Sequence, residues 1–193
     1  MIKNITIISF KTLLLFTLIT GIIYPLFVTI AGTVFFPHKA SGSLVASDGK
    51  IIGSELLGQK FENINYFHGR PSFSEYNTIP SSGSNLSIAY NTFKMKSDSL
   101  KNAFKTFNNA DDNIPSEMTT YSASGLDPHI TKQSALMQAD RISESRNFDN
   151  DKKNKLLKLI NENVIKPQFG ILGEERINVL LINLELDKLQ YGK

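Results

Sequence analysis

Thr12-Leu13-Leu14-Leu15-Phe16-Thr17-Leu18-Ile19-Thr20-Gly21-Ile22-Ile23-Tyr24-Pro25-Leu26-Phe27-Val28-Thr29-Ile30-Ala31-Gly32-Thr33-Val34-Phe35-Phe36 contains no charged residue. A bilayer-spanning helix needs roughly 20 apolar residues, so this run suffices with some tilt. Pro25 is expected to kink the helix without preventing it from spanning. A cleavable leader would have an apolar stretch of about 7–15 residues ending at small residues. Here Ala31-Gly32-Thr33 is followed by more apolar residues, which favours a retained anchor. Lys3 and Lys11 precede the run and Lys39 and Lys50 follow it. That slight bias places residues 1–11 in the cytoplasm and residues 37–193 outside it.

Charge away from the anchor excludes a nucleic-acid partner. The chain has 193 residues and a net charge of +3, but three of its 21 basic residues are Lys3, Lys11 and Lys39. The other 18 equal the 18 acidic residues, so the region beyond the span lacks the excess that phosphate backbones require. Absence of cysteine removes disulfides, thiol catalysis and iron–sulfur ligation.

Beyond the span the pattern predicts one soluble α+β domain. Ser47-Asp48-Gly49-Lys50, between apolar pairs, signals a hairpin. Phe93, Leu100, Phe104 and Phe107 share a helical stripe with Asn91 as its cap, and Asn108–Pro115 is a linker. Met118–Tyr121 is expected as a short strand. Thr131 caps a helix to about Arg146 with Ala135, Ala139 and Ile142 inward. Asp149 caps another, carrying Leu157, Ile160 and Val164 and stopped by Pro167 and Gly170. Ile177–Leu186, rich in apolar residues, is expected as a strand.

Two stretches concentrate Gly, Pro, His and charge: Tyr66-Phe67-His68-Gly69-Arg70-Pro71-Ser72 and Ser122-Ala123-Ser124-Gly125-Leu126-Asp127-Pro128-His129-Ile130. Gly and Pro make them shaped loops, where function concentrates. Ser124, Asp127 and His129 are the residue types of a hydrolase triad, but they crowd within six positions, and no Gly-x-Ser-x-Gly elbow is present. His38, His68 and His129, the three histidines, have no metal-ligand spacing, so no metal site is expected. Gly53-Ser54-Glu55-Leu56-Leu57-Gly58-Gln59-Lys60 fails as a phosphate loop because Gln59 separates Gly58 from Lys60. Arg70 fits either an internal ion pair or a contact with another subunit. Arg141 and Arg146 read as a solvated face beside Asp140 and Glu144.

With Ser82-Gly83-Ser84-Asn85-Leu86 and Gly173-Glu174-Glu175-Arg176-Ile177-Asn178-Val179, these motifs, in this order after one membrane segment, resemble the C chain of the Kdp-type potassium-transporting P-type ATPase. The resemblance implies a non-catalytic accessory subunit of an ATP-driven potassium importer in the bacterial inner membrane. The implied partners are a catalytic P-type ATPase subunit, a potassium-channel-like subunit, a small accessory subunit and membrane lipid. Neither the phosphorylation motif Asp-Lys-Thr-Gly nor a Thr-Val-Gly-Tyr-Gly filter occurs here. No tightly bound cofactor is implied; ATP would act through the complex, and potassium is its transported ion. The family's link to ATP binding falls on Gln168, or in another register Lys166. Yet a domain outside the cytoplasm has no access to ATP, so that role would run through assembly or ion access. His68, Arg70, Ser84, Asn85, Asp127 and His129 are the candidate subunit contacts. The competing reading is an anchored extracytoplasmic small-molecule binding or hydrolytic domain.

Overall fold

The computed structural model describes residues 2–191. Met1, Gly192 and Lys193, which end the expected cytoplasmic and soluble segments, lie outside the described residues. The chain divides into two units, Met1–Ile52 and Gly53–Lys193.

The first unit is dominated by one apolar helical run: α1 (Ile2–Leu18), a π turn (Ile19–Ile23) and α2 (Tyr24–Phe35). Helix begins ten residues before the uncharged stretch, because nothing between Ile2 and Thr12 breaks it. The span Lys3–Phe35 is 33 residues long, about 50 Å of helix, and none of its most apolar window is buried. The expected disturbance at Pro25 takes the form of the π turn. Proline has no amide hydrogen and crowds the preceding turn. The Tyr24 amide therefore donates to the Ile19 carbonyl, five residues back. Thr20, Thr29 and Thr33 donate their hydroxyls to the carbonyls of Phe16, Pro25 and Thr29 at 2.7–2.8 Å, so these three are satisfied within the helix. Phe36, ahead of Pro37, leaves helical geometry and ends α2. A one-turn α3 (Pro37–Ala40) leads to β1 (Leu44–Ser47) and β2 (Lys50–Ser54). Asp48 and Gly49 both have positive φ, the mirror-image turn that the Asp-Gly pair predicts.

The second unit is helical with a small ribbon, the mixed α+β class expected beyond the apolar helix. Its elements are α4 (Asn91–Asn108), α5 (Ser116–Thr119), β3 (His129–Ile130), α6 (Lys132–Ser145), α7 (Asn150–Glu162), β4 (Ile177–Asn178) and α8 (Val179–Tyr191). β3 and β4 pair antiparallel, His129 opposite Asn178 and Ile130 opposite Ile177. The core joins Ala139 and Ile142 of α6, Leu156 and Ile160 of α7, Ile182 and Leu186 of α8, and Phe67 from the long loop. Thr131 and Asp149 cap α6 and α7 by accepting from the amides of Ser134 and Lys152.

Four expectations are corrected. Ile177–Leu186 is a strand only through Asn178 and then becomes α8. Val179, Ile182, Asn183 and Leu186 are buried at helical spacing, a period hidden within a nearly continuous apolar run. Met118–Tyr121 is not a strand; Met118 and Thr119 are buried in α5. Asn91 is the first residue of α4 rather than its cap, and Tyr90 precedes it with no side-chain bond. α7 ends at Glu162, before Pro167 is reached, so Val164 lies beyond it.

Candidate functional site

The two motif loops fold against each other. Arg70 Nη1 donates to Asp127 Oδ2 at 2.9 Å, across 57 residues of chain. The other carboxylate oxygen accepts from the His129 amide at 3.0 Å, closing a turn over Pro128. The His129 ring nitrogen Nδ1 lies 3.8 Å from that oxygen. Burial alone would raise the Asp127 pKa; hydrogen bonds from His129 and Arg70 outweigh it and hold the carboxyl at about 2. Tyr76 donates its hydroxyl to the Arg70 carbonyl at 2.7 Å. Burial, with Asp127 nearby, pushes that phenol up to about 12.

Backbone contacts complete the lock. The Gly58 amide donates to the Leu126 carbonyl at 2.8 Å and the Ser122 amide to that of Pro71 at 2.9 Å. The Ser72 hydroxyl donates to the Gly125 carbonyl at 2.7 Å. A Cβ on Gly58 would sit 2.6 Å from the Asp127 carbonyl oxygen. Gly125 has φ +73° and would meet Ser74 Oγ at 2.6 Å, so it is excluded from substitution twice over. The segment around Gly58 is thus one wall of the lock.

His68 belongs to a neighbouring network. Its amide donates to Gln138 Oε1 at 2.8 Å, and its carbonyl accepts from Gln138 Nε2 at 3.1 Å. Asn183 treats Phe67 the same way, at 2.8 and 3.0 Å. Two side-chain amides thus pair successive residues of the loop as a neighbouring strand would. The imidazole stacks on Phe107 with centroids 5.0 Å apart, and burial lowers its pKa.

Arg141 and Arg146 are not a solvated face: they are 6% and 7% exposed. Arg141 donates to Asn108 Oδ1 at 2.8 Å, to the Tyr66 carbonyl at 3.0 Å, to Gln138 Oε1 at 2.9 Å and to the Ile64 carbonyl. All four acceptors are neutral, and burial lowers its pKa to about 10. Arg146 donates to the Asn65 carbonyl and to Asp187 Oδ1, each at 2.8 Å, and to Gln190. Sequence reasoning missed both because Asp140 and Glu144 flank them. The usable signal was the thin apolar face of α6, two alanines and one isoleucine, which leaves room for buried polar side chains.

The remaining candidates do not join the lock through their side chains. Ser84 accepts from the Leu86 amide at 3.5 Å, a local turn bond, and Asn85 has φ +52°. Lys166 and Gln168 lie exposed on a hairpin in which the Gln168 amide and carbonyl pair with Leu172 at 2.9 Å. Ser124 accepts from the Leu126 amide at 3.1 Å while Asp127 serves Arg70, so no triad forms. One cleft of about 440 Å³ is lined by Phe107, Asn108, Asp140, Arg141 and Glu144. Another of about 340 Å³ is lined by His68, Leu100, Phe104, Phe107 and Met118. Among the described residues no group of three His, Asp or Glu side chains could hold a metal ion.

Comparison with known proteins matches most of the chain. The family model for the K+-transporting ATPase c chain, KdpC, matches residues 6–188. The potassium-transporting ATPase KdpC subunit of Leptospira interrogans is 42% identical over 184 residues, covering 95% of this chain and 94% of its own. That of Methylococcus capsulatus is 43% identical over 182 residues, covering 92% and 94%. That of Photorhabdus laumondii is 43% identical over 190 residues, covering 96% of each. A match of this extent shows that the chain belongs to the KdpC family, the c chains of K+-transporting ATPases.

Proposed function

We propose that this chain is a non-catalytic, single-pass accessory subunit of an ATP-driven potassium import complex in the bacterial inner membrane. Its soluble domain is extracytoplasmic, and it holds the catalytic P-type subunit and the channel-like subunit in working assembly. One observation carries the reading: Arg70 and Ser72 of one motif loop bond Asp127 and Gly125 of the other, so these polar groups hold the two loops together. A framework that rigid presents a fixed surface, and a preorganised surface binds with less ordering cost. Arg70 and Asp127 keep 24% and 29% of their side chains exposed, so a partner subunit can read their outer edge. Effects on ATP binding pass through assembly. Lys166 and Gln168 offer a nucleotide no amide cradle of the kind phosphates require.

Growth at limiting potassium tests this. A strain lacking the chain should lose growth there and regain it with the full-length chain. A strain that grows normally without it would sink the proposal.

A further inference from the structure

The hairpin closed by Ile165 and Arg176 ends in a tip where Phe169, Ile171 and Leu172 are 92%, 82% and 59% exposed. The tip is ordered by its own backbone. The Ile165 amide donates to the Arg176 carbonyl at 2.8 Å, and the Arg176 amide donates back to the Ile165 carbonyl at 3.1 Å. The Gly170 amide donates to the Pro167 carbonyl, and those of Ile171 and Leu172 to the Gln168 carbonyl. Phe169 and Gly170 have φ of +54° and +74°, which turns the chain at the apex. No apolar residue of the core covers this apex, so three large side chains face water on a fixed scaffold.

We infer that this tip is the plug by which the soluble domain seats in an uncharged, apolar socket on another protein chain of the same pump. The inference rests on the accessory-subunit reading above. Two features select that occupant. Three such side chains offer on the order of 400 Å², about half of the ~800 Å² each partner contributes to a stable complex. The tip therefore fits a partner already held close by other means, and the apolar helix Lys3–Phe35, long enough to cross a membrane, would confine the chain beside such a partner. Charge decides against an anionic lipid surface. Exposed Glu174 and Glu175 follow the tip and cancel Lys166 and Arg176, where a membrane-seeking loop would carry net positive charge.

The test uses the assembled pump in native membranes, with a photoreactive phenylalanine analogue replacing Phe169 and, as control, Lys158 on α7. The Phe169 position should cross-link to another pump chain and the control should not. Phe169→Asp should lower the chain's recovery with the pump at least tenfold while leaving its melting temperature unchanged, since the side chain packs on nothing. Cross-linking only to lipid or to a second copy, or no cross-link while the chain still co-purifies, overturns the plug and leaves the accessory role standing. Failure of the unmodified chain to co-purify overturns both.

Discussion

Arg70 and Asp127 meet at 2.9 Å, and each is followed directly by a proline. Pro71 and Pro128 limit the backbone beside each charge. The lock therefore rests on stiffened chain as well as on the ion pair itself.

Asp127 makes the lock sensitive to acid. Its folded pKa of about 2 lies below the ordinary 3.8, so the unfolded chain takes up the proton first as pH falls. The stability it contributes is present above pH 4 and lost as pH falls through 2. Arg70→Ala should cost about 1–2 kcal/mol near neutrality. Asp127→Asn should cost a similar amount, and both variants should lose the parent's steepening below pH 4 in urea titrations of the detergent-solubilised chain. An unchanged acid limb in Asp127→Asn would show that the pair does not set it.

His68 acts in a higher pH window. Burial holds its folded pKa below the ordinary 6.5, so stability is full above 6.5 and declines as pH drops from there toward the folded value. His68→Gln should flatten the stability profile between pH 7 and 5. A parent profile already flat across that window would contradict the burial.

Asn183 is 2% exposed, and its donor and acceptor are both used on Phe67. Asn183→Leu strands a buried amide and a buried carbonyl together. The expected loss is about 2–4 kcal/mol, measured by denaturant unfolding. Arg141→Met should cost as much, by releasing the carbonyls of Ile64 and Tyr66. A loss below about 0.5 kcal/mol in either variant would mean that water replaces the clamp.

Gly58 tests the lock through sterics alone. Gly58→Ala places a methyl 2.6 Å from the Asp127 carbonyl oxygen, with the Tyr76 ring on the other side at 2.8 Å. Overpacking of this kind costs about 1–3 kcal/mol. Gly49→Ala, whose Cβ would meet nothing, isolates the cost of positive φ for comparison. Equal losses at both positions would remove the steric argument.

Local signals were legible in the sequence wherever a single residue type answers a local need. The uncharged run gave the spanning helix, Asp48-Gly49 the turn, and Thr131 and Asp149 the helix starts. Long-range needs were not legible. Arg141 and Arg146 serve carbonyls 75–81 residues upstream, and no local pattern announces such acceptors. α8 was misread because its inward Asn183 looks like a flaw in an apolar strand, whereas it is the residue that holds Phe67. At the motif loops an internal ion pair was one of two open readings for Arg70, and only the fold brings Asp127 to it.

Topology is checked by reporters. A phosphatase fused after Lys193 should be active, since Lys3 and Lys11 favour a cytoplasmic N-terminus. An inactive phosphatase paired with an active cytoplasmic reporter would reverse the orientation and return direct ATP contact to consideration.

The most direct measurement is affinity purification of the tagged full-length chain from native membranes, followed by potassium-stimulated ATPase assay with and without it. The account predicts that the P-type ATPase and channel-like chains co-purify in fixed ratio. It also predicts that the isolated chain hydrolyses no ATP, and that pump prepared without the chain loses its potassium stimulation. ATP turnover by the chain alone, or a fully active pump assembled without it, would contradict the account.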